Sequence, residues 1–260
     1  DTVVVGANGD DGGLGFEQGS AYVFVRSGTV WIQQARLTAL DGAPFDYFGY
    51  SVSVNGDTAL IGAYTDDHAG GIDAGGSAYV FVRSGTIWTE QAKLTASDAA
   101  VSDLFGVSVA ISGDTALVGA NTDDNAFDAD AGSAYIFVRS GVTWTQQARL
   151  VASDAAATDN FGISVALSGD TALVGAWQDD NLGGADAGSA YVFIRSGVVW
   201  TQQAKLTASD AAATDIFGVS VALSGDTAVV GARADDNAGG SDAGSAYAFD
   251  LGCDDDEDGI

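Results

Sequence analysis

Acidic side chains recur at a fixed spacing along this 260-residue chain, and they are the first residues whose types and spacing suggest chemistry. An Asp-Asp pair is followed, six residues after its second member, by a further acid. The sets are Asp66-Asp67 with Asp73, Asp123-Asp124 with Asp130, Asp179-Asp180 with Asp186, Asp235-Asp236 with Asp242, and Asp10-Asp11 with Glu17. Three carboxylates in a Gly-rich loop, with backbone carbonyls nearby, are the donor set that a hard, oxygen-seeking cation such as calcium takes. The same residues also build turns, because Asp and Asn bond their own backbone and Gly supplies positive φ. Both readings repeat, so repetition does not choose between them. A second acidic set, Asp41/Asp46, Asp98/Asp103, Asp154/Asp159 and Asp210/Asp215, reads as turn and cap residues. The tail contains Asp254-x-Asp256-x-Asp258-Gly259, the opening of a calcium loop or a plain acidic linker.

Binding chemistry is suggested where the repetition breaks. Directly after each Gly-Ala stand Asn8, Tyr64, Asn121, Trp177 and Arg233, while their flanks barely change. Tyr64 and Trp177, with Tyr47 and Tyr50 from Phe45-Asp-Tyr-Phe-Gly-Tyr50, are candidates for stacking on a sugar or gripping a protein; drift in a surface loop is the alternative. Catalysis has little support. The one histidine, His68, stands in a polar loop beside Asp67, and no Ser-His-Asp, Cys-His or zinc arrangement can be assembled around it. Paired carboxylates could serve a glycosidase, but a catalytic pair should occur once, and these recur throughout.

The elements that must position these residues are themselves repeated. The Gly-Ala glycine recurs at Gly6, Gly62, Gly119, Gly175 and Gly231, in steps of 56, 57, 56 and 56. A Phe-Gly segment begins at Phe48, Phe105, Phe161 and Phe217, an Ala-Tyr segment carries Tyr22, Tyr79, Tyr135, Tyr191 and Tyr247, and a Trp segment starts at Trp31, Trp88, Trp144 and Trp200. Self-similarity at such a period means an array of one supersecondary unit. Each segment alternates with period two: Ile163, Val165 and Leu167, for example, stand against Ser164, Ala166 and Ser168. Ser168-Gly-Asp170 and Arg195-Ser-Gly197 are tight turns that demand antiparallel hairpins. The expected unit is a four-stranded antiparallel meander, and the expected architecture an all-β propeller, because solenoid coils are shorter and pair in parallel. Small residues on the Phe-Gly strand suit the crowded inner position, the Gln-bearing Trp strand suits a half-exposed outer edge, and Tyr191 and Phe193 would fill the space between blades. The repeats are read as residues 1–47, 48–104, 105–160, 161–216 and 217–250, followed by an acidic linker or calcium-loop start over 251–260.

Composition bounds the partners. Apolar residues make up 47%, ample for a core, while 36 acidic residues face 9 basic ones for a net charge of −27. Nucleic acid is an unsuitable partner, because phosphate binding needs clustered Lys and Arg. An anionic membrane surface is repelled in the same way, and no stretch approaches the roughly 18 apolar residues of a membrane span. One cysteine, Cys253, cannot form an internal disulfide.

Phe161-Gly…Gly-Asp-Thr-Ala-Leu-Val-Gly-Ala176, preceded in the next copy by Gln202-Gln-Ala-Lys-Leu-Thr-Ala-Ser-Asp210, resembles the FG-GAP repeat family, the blade unit of the integrin-α propeller, and its bacterial members most closely. The resemblance implies an extracellular or cell-surface propeller used for binding or adhesion, often calcium-supported. With the residues above, the leading expectation is a secreted or surface propeller that binds a protein or glycan without catalysis and is stabilised by calcium. An alternative is a structural subunit that self-assembles into a fibre or surface layer; a polysaccharide-acting enzyme is a further one. One departure matters: where integrin-type repeats carry a calcium loop between the first two strands, this chain has only Ser-Gly-Asp, or Asn55-Gly-Asp57, too short to wrap a cation. The repeats open in mid-blade. From Trp31 to Gly62 is 31 residues, yet five precede Gly6, so about two dozen upstream residues would complete five blades, and the ring could be larger.

Overall fold

The computed structural model describes residues 1–11, 16–67, 75–124 and 129–252, and these form an all-β five-bladed propeller of small antiparallel sheets. No helix occurs among the described residues. Blade 1 comprises β1 (Thr2–Ala7), β2 (Ser20–Ser27) and β3 (Val30–Leu37). Blade 2 holds β4 (Ser51–Asn55), β5 (Thr58–Ala63), β6 (Ser77–Ser84) and β7 (Ile87–Leu94), and blade 3 holds β8 (Ser108–Ser112), β9 (Thr115–Ala120), β10 (Ser133–Ser140) and β11 (Thr143–Leu150). Blade 4 is β12 (Phe161–Ser168), β13 (Thr171–Ala176), β14 (Ser189–Ser196) and β15 (Val199–Leu206); blade 5 is β16 (Phe217–Ser224), β17 (Thr227–Ala232) and β18 (Ser245–Asp250). Every sheet is a meander in chain order, so each four-stranded blade has the expected two tight hairpins joined by the Asp-Asp loop.

The core lies between blades. Leu173, Ala190 and Val192 of blade 4 pack against Phe217, Ala228 and Val230 of blade 5, and the same face-to-face pattern joins blades 3 and 4 through Leu117, Ala134 and Ile136 against Phe161, Val174 and Tyr191. Burying these apolar faces is the main stabilising term, at roughly 25 cal/mol per Å2 removed from water. Tyr191 and Phe193 fill that space as expected, both edge-on to Phe161 at ring distances of 5.5 and 6.0 Å. Blades 1 and 5 each keep one face uncovered, with Val3, Val5 and Val229 exposed.

The two glycine motifs explain each other. The Phe-Gly glycines, Gly49, Gly106, Gly162 and Gly218, have φ between 89° and 95°, a left-handed backbone that bulges the strand. That bulge aims a carbonyl at the preceding blade. A Cβ on Gly175 would stand 2.0 Å from the Gly218 oxygen, and Gly62 and Gly119 meet Gly106 and Gly162 in the same way. Only glycine leaves room there, and Ser51, Ser108 and Ser164 each donate a 2.7 Å hydrogen bond to the same carbonyls.

The Trp-bearing strands form the half-exposed outer edge expected of them, and their polar side chains also join neighbouring blades. A β-bulge opposite Val192/Phe193, and at the matching place in blades 1 to 3, leaves one glutamine unpaired with the neighbouring strand. In three blades that glutamine accepts the next blade's indole N–H: Trp88 to Gln34 at 2.9 Å, Trp144 to Gln91 at 2.9 Å and Trp200 to Gln147 at 3.1 Å. The residue before it reaches the opposite way, Glu90, Gln146 and Gln202 accepting the backbone N–H of Leu40, Ser97 and Ser153. Edge residues thus rivet blades 1 to 4 in series, blades 2 and 3 to both neighbours.

Candidate functional site: acidic knots and an aromatic platform

The Asp-Asp loops leave the inner half of each blade and return to its third strand, which carries a Ser and a Tyr pointing back at them. The first aspartate is buried in four of the five pairs: Asp66, Asp123, Asp179 and Asp235 are 2 to 3% exposed, while Asp10 is half-buried. A buried carboxylate needs compensating donors, and the repeat supplies them. Asp179 accepts hydrogen bonds from Ser189 Oγ at 2.6 Å and Tyr191 Oη at 2.8 Å, and pairs with Lys205 Nζ at 2.8 Å. Asp66 has the same partners in Ser77, Tyr79 and Lys93. Arg149 takes the lysine's place beside Asp123, and Asp10 is held by Tyr22 and Arg36. Asp235 is bonded by Ser245 and Tyr247.

Each cation also ties down the strap entering its blade. Lys93 bridges Asp66 to Asp41, Lys205 bridges Asp179 to Asp154, and Arg149 bridges Asp123 to Asp98. Burial opposes ionisation of Asp41 and Asp154, yet hydrogen bonds from the lysine and tyrosine outweigh it and hold both carboxyls below the usual range. Burial and the adjacent carboxylates push the Tyr79 and Tyr191 hydroxyls far upward, so both remain donors.

The second aspartate does a different job. Asp124, Asp180, Asp236 and Asp11 each accept the backbone N–H six residues on, from Asp130, Asp186, Asp242 and Glu17. Those third acids sit in the left-handed region, at φ of 51° to 53°. The carboxylates expected to share a cation therefore have separate duties: one in an ion pair, one as a loop cap, one marking the turn. Among the described residues no three acidic, histidine or cysteine side chains come together as a metal site. A divalent cation against Asp66 or Asp179 would also face an ammonium 2.7 to 2.8 Å from the same carboxylate, so in blades 2 and 4 the first aspartate is already neutralised by the chain's own lysine. Asp67 is exposed. Asp73, Asp254, Asp256 and Asp258, with His68 and Cys253, lie outside the described residues.

The strap aspartates Asp46, Asp103 and Asp159 are the least compensated acids. All are about 3% exposed or less, and each accepts a backbone N–H from three residues before it. Burial raises the Asp46 carboxyl to about 7 and those of Asp103 and Asp159 to about 6. The short Asn55-Gly-Asp57 and Ser-Gly-Asp turns carry no cation loop; Asp57 and Asp114 instead pair with Arg83 and Arg139 at 2.5 Å.

The variable residues follow β1, β5, β9, β13 and β17 at one register position, but they meet different fates. Asn121 is buried and donates to Asn160 Oδ1 at 2.7 Å. Trp177 is half-buried, its indole N–H without a partner among the described residues; Asn8 is half-buried and Arg233 exposed, each on its own blade. Tyr64 is drawn into a cluster. Its ring lies 5.6 Å from that of Tyr47, stacked, and 4.4 Å from that of Tyr50. Tyr47 donates a 2.6 Å hydrogen bond to Glu17. The strap supplies a further ring, Phe45, whose N–H bonds the Phe16 carbonyl at 2.9 Å and whose own carbonyl takes the Thr65 hydroxyl at 2.6 Å.

Phe16, Phe45 and Tyr50 are exposed by 71, 53 and 50%. This platform belongs to the boundary of blades 1 and 2 alone: Phe45 corresponds to Ser102, Thr158 and Thr214, Tyr50 to Val107, Ile163 and Val219, and Phe16 to Ala129 and Ala185. Phe45 also holds a φ of 70°, costly for a bulky side chain. Phe16 was missed by sequence reasoning, because its loop is remote in sequence from the strap it touches.

Comparison with known proteins agrees with this architecture. The FG-GAP repeat model matches residues 31–81, 88–137, 144–193 and 200–249. Each match runs from a Trp-bearing outer strand through three strands of the following blade, so the sequence unit straddles the riveted boundary. No curated protein sequence matches the chain. Repeats of this kind often bind calcium and are usually non-catalytic. With the repeat model covering most of its length, the chain belongs to the FG-GAP repeat family.

Proposed function

We propose that the protein is a non-catalytic binding propeller, secreted or at the cell surface, whose protein or glycan ligand is taken at the aromatic platform of blades 1 and 2. The observation that carries this reading is the break in symmetry: five aromatic residues gather at one blade boundary, where the other blades place small, aliphatic or polar ones except for Trp177 at the Tyr64 position of blade 4. Exposed rings supply large contact area at low entropic cost and dominate the energetics of many interfaces. The acidic knots, in contrast, repeat in every blade and serve the scaffold. Extracellular placement rests on the family resemblance, and cell fractionation tests it.

The binding reading is tested by passing the immobilised chain over panels of proteins and glycans, beside a variant carrying Tyr50→Val and Tyr64→Asn. Those residues stand at the same positions in blade 3 as Val107 and Asn121. Retention by the native chain and its loss in the variant supports the platform. Equal retention by both places the ligand elsewhere and ends the reading.

A further inference from the structure

Resting on the platform reading, we infer that its ligand is a cationic protein segment, with an arginine or lysine side chain laid over Phe45 and Tyr50. Two independent observations point to that chemistry. The first is the chain's own use of its cations. Of nine basic residues, eight lie over an aromatic ring: Arg26 on Trp31, Arg36 on Tyr22, Arg83 on Trp88, Arg139 on Trp144, Arg149 on Tyr135, Arg195 on Trp200, and Lys93 and Lys205 on Tyr79 and Tyr191. Each of the eight is also paired with an aspartate. Ring plus carboxylate is therefore the arrangement this fold uses to hold a cation.

The platform offers both parts of that arrangement. Its rings are Phe16, Phe45, Tyr47, Tyr50 and Tyr64, and its carboxylate is Glu17, accepting the Tyr47 hydroxyl. None of the eight internal cations lies over these rings. Tyr64 packs against Tyr47 and Tyr50, whereas Phe45 and Tyr50 are themselves half-exposed and offer the contact surface. A guanidinium stacks on such a face and simultaneously hydrogen-bonds an acid.

The second observation is the field around it. A net charge of −27 steers a basic partner toward the protein and disfavours an anionic one. A neutral glycan gains nothing from that field.

The test measures binding, by fluorescence anisotropy at about 0.15 M salt, of an arginine-rich peptide and of the same peptide with citrulline at every arginine. The native chain is compared with Phe45→Thr combined with Tyr50→Val, which place at this boundary the residues of blade 5, Thr214 and Val219. The melting midpoint of the variant confirms that it is folded. Binding about tenfold weaker for the citrulline peptide, and about tenfold weaker for the variant with the arginine peptide, is the result expected of a cation on a ring. Equal binding of the arginine peptide to both proteins would show attraction by charge alone and overturn the inference. Capture of neutral polysaccharide such as dextran or xylan by the native chain but not by the variant would also overturn it, while leaving the platform reading in place. If neither peptide nor polysaccharide distinguishes the two proteins, both readings fall.

Discussion

The α-carbon of Gly119 faces the carbonyl oxygen of Gly162 so closely that a Cβ on Gly119 would stand 2.0 Å from it. One glycine belongs to the Gly-Ala motif of blade 3 and the other to the Phe-Gly motif of blade 4. The two halves of the repeat signature are thus a single contact between successive blades, and its consequences can be measured.

Gly119→Ala should be severely destabilising, because the atom it meets is backbone and cannot swing away. A loss of several kcal/mol and a fall in melting midpoint of about ten degrees are expected. Gly231→Ala is the control, since the close atom a Cβ there meets is the Ser220 hydroxyl at 2.4 Å, within its own blade, with no carbonyl of another blade against it. Comparable losses in the two variants would refute the inter-blade explanation.

Lys205→Met should cost about 3–5 kcal/mol, because it strands the buried Asp179 carboxylate. Lys205→Arg should be nearly neutral, since Arg149 already fills the corresponding place beside Asp123 and Asp98. Chemical denaturation of the three proteins decides it; a methionine variant as stable as the parent would show that the knot contributes little.

Stability should rise as pH falls from 8 to about 5. Asp46, Asp103 and Asp159 bind protons at about 6 to 7 when folded but near 3.9 when unfolded. In that window the folded state holds more protons, so raising the pH weakens it. Below about pH 4 the direction reverses, because Asp41 and Asp154 titrate below the usual range when folded and their ion pairs are lost on protonation. Melting curves across pH should therefore pass through a maximum near 5. Asp46→Asn should flatten the slope above pH 6.

Calcium should leave the blades as they are. The Asp-Asp loops already satisfy their carboxylates with Lys, Tyr, Ser and backbone donors. The melting midpoint in millimolar calcium should match that in EDTA to within about a degree. A rise of several degrees would mean that the loops rearrange around the ion.

The meander, its hairpins and its propeller tiling were legible in the residues, because strand alternation, tight-turn glycines and a constant period are local signals that recur four or five times. The inner hairpin and the placement of Tyr191 and Phe193 between blades followed from them. The duties of the acids were not legible. Asp66, Asp67 and their fellows form a ligand-like pattern along the chain, and Lys93, 27 residues from Asp66, is brought beside it only when the outer strand folds back. The glutamine rivets stayed hidden for a similar reason: Gln34 meets Trp88 across a blade boundary, and strand alternation carries no information about which bulged residue faces the next sheet. The platform was half visible. Tyr47, Tyr50 and Tyr64 stood out by type, but their clustering, and the arrival of Phe16 beside Phe45, depend on a strap lying along the preceding blade's loop. Sequence by itself determined what each blade is, because that is decided by short-range periodicity. Tertiary structure decided what its polar and aromatic residues do, because their partners are supplied by strands and loops distant in sequence.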